Sequence, residues 1–188
     1  MSTKSDTDLE IAISQVLQQA GENTTRDGLL ETPMRFKKQL QECLIGYNDN
    51  PEKYVKLFDS NGYKEIVVVS KISFSSLCEH HLLPFFGYID IAYVPKHNIL
   101  GLSKFARIVD AFSKRLQVQE RLTKELADFF QEQLDPELII VQITATHTCM
   151  TVRGVQRPQS QTNTLTVIGN EIKNRRHIDY FFSMNGGN

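Results

Sequence analysis

Cys78 and His81 stand three residues apart in Cys78-Glu79-His80-His81, a spacing at which one thiolate and one imidazole can converge on a single ion. A second segment far downstream, His147-Thr148-Cys149, supplies one more of each donor. Zn²⁺ takes sulfur and nitrogen in a tetrahedron, and a catalytic zinc keeps three protein ligands and leaves its fourth position to water. Cys78, His81 and Cys149 form such a donor set, with Zn²⁺ as the expected cofactor. A closed structural site that takes His147 as fourth ligand draws on the same letters, and spacing does not separate the two. Plain burial also competes, because cysteine is among the most buried residue types.

Adjacent side chains of an extended segment point to opposite sides, so two neighbouring histidines rarely hold one ion together. With His81 on the metal, His80 is expected to face a substrate. The same alternation predicts that His147, Cys149, Thr151 and Arg153 line one face of a strand.

These residues need a scaffold, and hydrophobic periodicity outlines one. Thr7 and Glu10 read as a capping box ahead of a helix whose stripe is Leu9, Ile13, Val16, Leu17 and Ala20. Thr32-Pro33 starts a second helix, with Phe36, Leu40, Cys43 and Leu44 on one face, and Cys43 reads there as packing. Asn50-Pro51 opens a short helical piece reaching about Phe58. Residues 1–60 are therefore expected as an N-terminal helical arm, and 61–188 as the unit that carries the chemistry.

From Ile66 to Phe74 the residues are β-branched and apolar, which predicts a strand, and Tyr88 to Val94 predicts another. Ser103 is placed to cap a helix with Phe105, Ile108, Val109 and Phe112 as its stripe. Lys104 and Arg107 fall on its first turns, where exposed N–H groups favour anions. A further helix spans about Val118 to Leu134, with Glu120 near its start and off the stripe. Strands follow over Leu138 to Thr144, continuing into the His147 segment, and over Thr162 to Ile168; Glu171 to Phe182 is a helix or tail. Strands before and after a pair of helices, with short links, make an α+β domain with an antiparallel sheet.

A formal net charge of −1 gives no global pull toward nucleic acid or membrane, so a polyanionic ligand must be met by local Lys and Arg. No run approaches the roughly 20 apolar residues of a membrane span. Three cysteines cannot all pair, a secreted disulfide framework is not expected, and the cytoplasm is the expected compartment. The glycines fit neither a dinucleotide fingerprint nor a P-loop.

Taken together, CEHHLLPF from Cys78, GLSKFARIV from Gly101, RLQVQERLT from Arg115, ATHTCM from Ala145 and the following Arg153-Gly154-Val155 closely resemble the GTP cyclohydrolase I family. The resemblance covers about residues 26 to 169; residues 47 to 65 and the tail after Gly169 do not match in detail. It implies a zinc enzyme that turns GTP and water into 7,8-dihydroneopterin 3'-triphosphate and formate, the first step of pterin and tetrahydrofolate synthesis. It also implies the tunnelling fold (T-fold), an antiparallel sheet with helices on one face. Subunit sheets close into an oligomeric barrel, and the homodecamer is two stacked pentamers.

By the same resemblance, Cys78, His81 and Cys149 are the metal ligands. His80 and His147 move protons, and Ser103 assists the ribose and ring-closure steps. Glu120, supported by Gln119, recognises guanine, and Lys104, Arg107 and Arg153 clamp the triphosphate. Further phosphate contacts are expected from a neighbouring subunit. A related enzyme that stops at the ring-opened formamide, and a non-catalytic zinc-stabilised oligomer, are the alternatives.

Overall fold

The strand that ends on Cys78 is the longest in the protein's sheet, and one extra residue inside it decides which of its side chains reach the site. The structure is a computed structural model and describes residues 4–185. The chain divides into two compact units, one ending at Ile45 and the other beginning at Gly46.

In the first unit, helix α1 (Lys4–Gln19) packs on helix α2 (Thr32–Cys43), and Lys37 pairs with Glu10 between them. Helix α1 begins ahead of Thr7, so the expected capping box is not its start. Helix α2 carries proline in its first turn as expected, but its N-cap is Glu31, which makes no side-chain cap bond.

Near the start of the second unit, a 3-10 turn at Ile45–Asn48 is followed by another at Pro51–Tyr54, where Asn50 accepts a hydrogen bond from the Glu52 N–H at 3.0 Å. The expected helical piece stops there. Strand β1 (Leu57–Asp59) follows it, paired antiparallel with β4 (Asn98–Leu100). Strand β2 (Val67–Cys78) runs beyond Phe74 to the metal-binding letters, and β3 (Pro84–Val94) also starts earlier than its pattern predicts. Helix α3 (Leu102–Ser113), the two-residue strand β5 (Leu116–Gln117) and helix α4 (Gln119–Leu134) lead to β6 (Leu138–His147). A single helical turn, α5 (Thr148–Thr151), strand β7 (Thr162–Gly169) and helix α6 (Arg175–Asn185) complete the chain.

The main sheet has the order β5-β2-β3-β6-β7, antiparallel except for the β2–β5 contact. It confirms the mixed α+β class. Ile89, Ile91, Tyr93, Ile139, Val141 and Ile143 cover one face and bury Phe105, Ile108, Leu122, Leu126 and Phe130 of α3 and α4 against it. The other face is not bare of helix as expected: Phe181 of α6 is buried there with Ala92, Val94, Leu138 and Ile140. Each fully buried Phe or Leu contributes about 1.5–3 kcal/mol, so the slab between sheet and helices is the rigid base of the site.

Pairing of β2 with β3 shifts between Val69↔Ile91 and Ile72↔Ile89, which leaves one surplus residue on β2. Lys71 takes a left-handed φ of 55° in this bulge. Before it Val67 and Val69 face the core; after it Ile72, Phe74 and Cys78 do. A side-chain period of two makes such a slip invert every later position.

Candidate metal centre and active site

Strand β2 does not continue past Cys78. The Cys78 carbonyl accepts from the N–H of His81 at 3.2 Å and of Leu82 at 2.8 Å, and the Cys78 N–H donates to Leu83 O at 2.8 Å. Leu82 closes this turn with a φ of 53°. The expected alternation of His80 and His81 in an extended segment is therefore corrected: both sit in a turn. His81 Nδ1 lies 3.6 Å from Cys78 Sγ, and His80 Nδ1 lies 3.9 Å from it, with the His80 side chain 64% exposed.

Downstream, strand geometry ends at His147, and Cys149 lies in the helical turn α5, seated by a hydrogen bond from Thr148 Oγ1 to Pro84 O at 2.6 Å. His147, Cys149, Thr151 and Arg153 thus do not share a strand face. His147 instead ends the core-facing row of β6, paired with Phe85 of β3. Their rings stack at 4.6 Å and 3°.

The donor atoms of Cys78, His81 and Cys149 lie within 4.8 Å of one another, the set expected from spacing. Bonds of about 2.3 Å to sulfur and about 2.0 Å to nitrogen leave those atoms about 3.5 Å apart around one tetrahedral ion. The 3.6 Å between Cys78 Sγ and His81 Nδ1 fits that figure. Two sulfurs and an imidazole suit a soft or borderline cation and not one that seeks oxygen. Burial raises the Cys149 thiol above its ordinary range and the neighbouring Cys78 adds to the rise, while Arg153 opposes it. A bound divalent cation reverses that balance, since it favours thiolate. His147 stands outside the donor set, with Nε2 hydrogen-bonded at 2.8 Å to Gln119 Oε1. Burial holds its imidazolium below the usual histidine range, and the Glu120 carboxylate works against that.

Helix α4 starts beside the metal donors. Gln119 is its first residue and buried, whereas Glu120 is exposed on the first turn. Ser103, Lys104 and Arg107 lie on the first turns of α3, whose N-cap is Gly101, so Ser103 is not the cap. The Arg107 guanidinium sits over the Tyr54 ring at 5.9 Å. Arg153 is exposed just past α5. Among the described residues, no hydrogen bond or ion pair ties Lys104, Arg107 or Arg153 to the metal donors.

Spacing missed two contributors. Arg121 of α4 forms an ion pair with Glu79, inside the metal turn, and the Glu79 N–H donates to Gln117 O at 3.1 Å, so the turn is tied to the start of α4. The guanidinium beside Glu79 lowers its carboxyl. Nothing local announces a pair drawn from positions 79 and 121. Phe85 was more accessible to sequence reasoning, since Phe85, Ile89, Ile91 and Tyr93 share one parity of β3.

A family model described as GTP cyclohydrolase I matches residues 9–185 of the chain. A protein of Parabacteroides distasonis named GTP cyclohydrolase 1 is 46% identical over 157 residues, covering 82% of this chain and 80% of that one. Proteins of the same name from Carboxydothermus hydrogenoformans and Bacillus subtilis are each 43% identical over 162 residues. Both alignments cover 86% of this chain, with 84% of the first relative and 85% of the second.

Proposed function

The chain belongs to the GTP cyclohydrolase I family and is an enzyme of that class; on this premise we propose that it converts GTP and water to 7,8-dihydroneopterin 3'-triphosphate and formate. Cys78, His81 and Cys149 would hold Zn²⁺. When bound, zinc supplies a Lewis acid at which water becomes nucleophilic near neutral pH. The convergence of these three donors, with His147 kept out of the set by Gln119, is the observation that carries the reading. It favours three protein ligands over a closed four-ligand site.

The remaining work falls to the chain's own side chains. His80, exposed beside the donors, protonates guanine N7 and so makes C8 electrophilic. His147 exchanges protons during opening of the ring and of the ribose, and Ser103 hydrogen-bonds the ribose. Imidazole suits both tasks because one ring nitrogen can accept a proton while the other donates one. Glu120 accepts from guanine N1–H and the 2-amino group, a pairing that adenine does not offer, and Gln119 backs it from inside the protein. Lys104, Arg107 and Arg153 hold the triphosphate, with each guanidinium able to take two phosphate oxygens.

We take residues 61–188 as the catalytic unit and 1–60 as the helical arm, whose last part folds with the catalytic unit from Gly46 onward. The working form is a homodecamer of two pentamers in which T-fold sheets join into a barrel, and the compartment is the cytoplasm. Two features support assembly: among the described residues β7 is paired on one edge alone, and Phe86, Tyr88 and Leu165 are 48%, 52% and 46% exposed.

Incubating the purified protein with GTP, with and without a chelator, tests the reading. Formate and neopterin triphosphate are expected together, and both should vanish with the metal. Accumulation of the ring-opened formamide without pterin would instead assign the shorter reaction, and no change in GTP would overturn the proposal.

A further inference from the structure

Gln119 is 1% exposed, and both ends of its carboxamide are committed inside the protein. Nε2 donates to Ile143 O at 3.0 Å, to Thr162 O at 3.0 Å and to Thr164 Oγ1 at 3.1 Å. Two of those partners are backbone carbonyls, which accept and never donate. Turning the amide over would set its oxygen against both, so the orientation is settled by its surroundings. Oε1 is thereby fixed toward His147 Nε2 at 2.8 Å.

An amide oxygen also only accepts, so the hydrogen in that bond belongs to the imidazole. The Phe85 ring, stacked at 4.6 Å, holds the imidazole plane. The anchor extends further: Thr123 Oγ1 donates to Gln119 O at 2.7 Å and meets Thr164 Oγ1 at 2.6 Å, which ties α4 to β7 behind the histidine.

We propose that Gln119 is a positioning residue that holds His147 as its Nε2–H tautomer, so that His147 exchanges protons with the substrate through Nδ1. This rests on the cyclohydrolase reading of the site. It also moves Gln119 away from direct contact with the base, because its two amide hydrogens are already shared among three acceptors. Glu120, the next residue, is exposed and free for that contact.

The test is nitrogen NMR of the zinc-loaded enzyme with ¹⁵N-labelled histidine, at about pH 8, above the ordinary histidine range, with a His147→Asn sample to assign the ring. His147 should show a protonated Nε2 and a bare Nδ1. In Gln119→Met, which keeps the length and loses the acceptor, the two tautomers should mix. The variant's kcat should fall about 10- to 100-fold while KM for GTP stays within about twofold. Thr164→Val leaves both carbonyl partners of the amide and should keep the wild-type spectrum.

A bare Nε2 in the wild-type enzyme overturns the proposal, whether or not any variant folds. So does a Gln119→Met enzyme whose KM rises while kcat holds, since Gln119 would then touch the base. A wild-type enzyme with the expected spectrum and no turnover of GTP would remove the cyclohydrolase reading and leave the tautomer assignment in place.

Discussion

The Lys71 N–H donates to Asp90 Oδ1 at 2.7 Å, and this bond pins the bulge that turns Cys78 toward the metal site. Asp90 is 9% exposed, so its carboxylate is held against the backbone of the neighbouring strand with little access to water. Were the same residues paired regularly, with no bulge to absorb the surplus one, the parity that buries Val67 and Val69 would carry Leu77, not Cys78, to the core face.

Asp90→Ala should therefore destabilise the fold by about 1.5–3 kcal/mol, the usual contribution of a hydrogen bond to a charged group, and should also weaken metal retention. Asp90→Asn, which keeps the acceptor, should be close to wild type. Thermal unfolding and metal content after dialysis read both effects, and an Asp90→Ala protein with wild-type zinc content would break the link between bulge and site.

Cys149→Ser removes one of three donors from a set spanning 4.8 Å. Zinc and formate release should disappear together. Full turnover in a protein that still holds zinc would take Cys149 out of the metal site.

His147→Ala should keep its zinc, because His147 is engaged by Gln119 and not by the donor set. Pterin formation should stop. A folded variant that has lost zinc would make His147 a ligand.

Glu120→Gln weakens an acceptor offered to guanine without disturbing the exposed first turn of α4. Loss of about 1–3 kcal/mol of charge-assisted hydrogen bonding corresponds to a KM for GTP raised about 5- to 150-fold, with an unchanged Tm. Equal affinity for GTP in variant and wild type would remove Glu120 from base recognition.

The Glu79 carboxyl is lowered chiefly by its hydrogen bond from Arg121. A carboxyl whose folded pKa is depressed adds stability above its unfolded pKa, near 4.3, and loses it as pH falls through the folded value. Glu79→Gln should thus lower Tm slightly at neutral pH, with the difference from wild type closing below about pH 4. A difference that persists at acid pH would point to packing in place of charge.

Much of this site was legible in the chain, because sulfur and imidazole at metal spacing are few and specific: Cys78, His81 and Cys149 converge as their letters suggest. What misled was the backbone between them. Alternation assumes an extended chain, yet the Cys78 carbonyl takes two N–H groups and Leu82 adopts a left-handed φ, so 78–82 is a turn. Thr148 likewise spends its hydroxyl on Pro84 O and starts a helical turn where strand letters continue. Strand β1 escaped notice because three residues carry no period, and its partner, β4, lies at Asn98–Leu100. The role of Gln119 lay beyond reach for the same reason: its partners come from β6 and β7.

Strands β2 and β6 are separated in the sheet by β3, so the thiols of Cys78 and Cys149 meet only after three strands have docked in register. A nascent polypeptide that has emerged only as far as β5 owns two of the three donors and can grip the cation weakly at best. Tight capture of an ion by this set would consequently be a late event in biogenesis, and its arrival would time-stamp completion of the sheet.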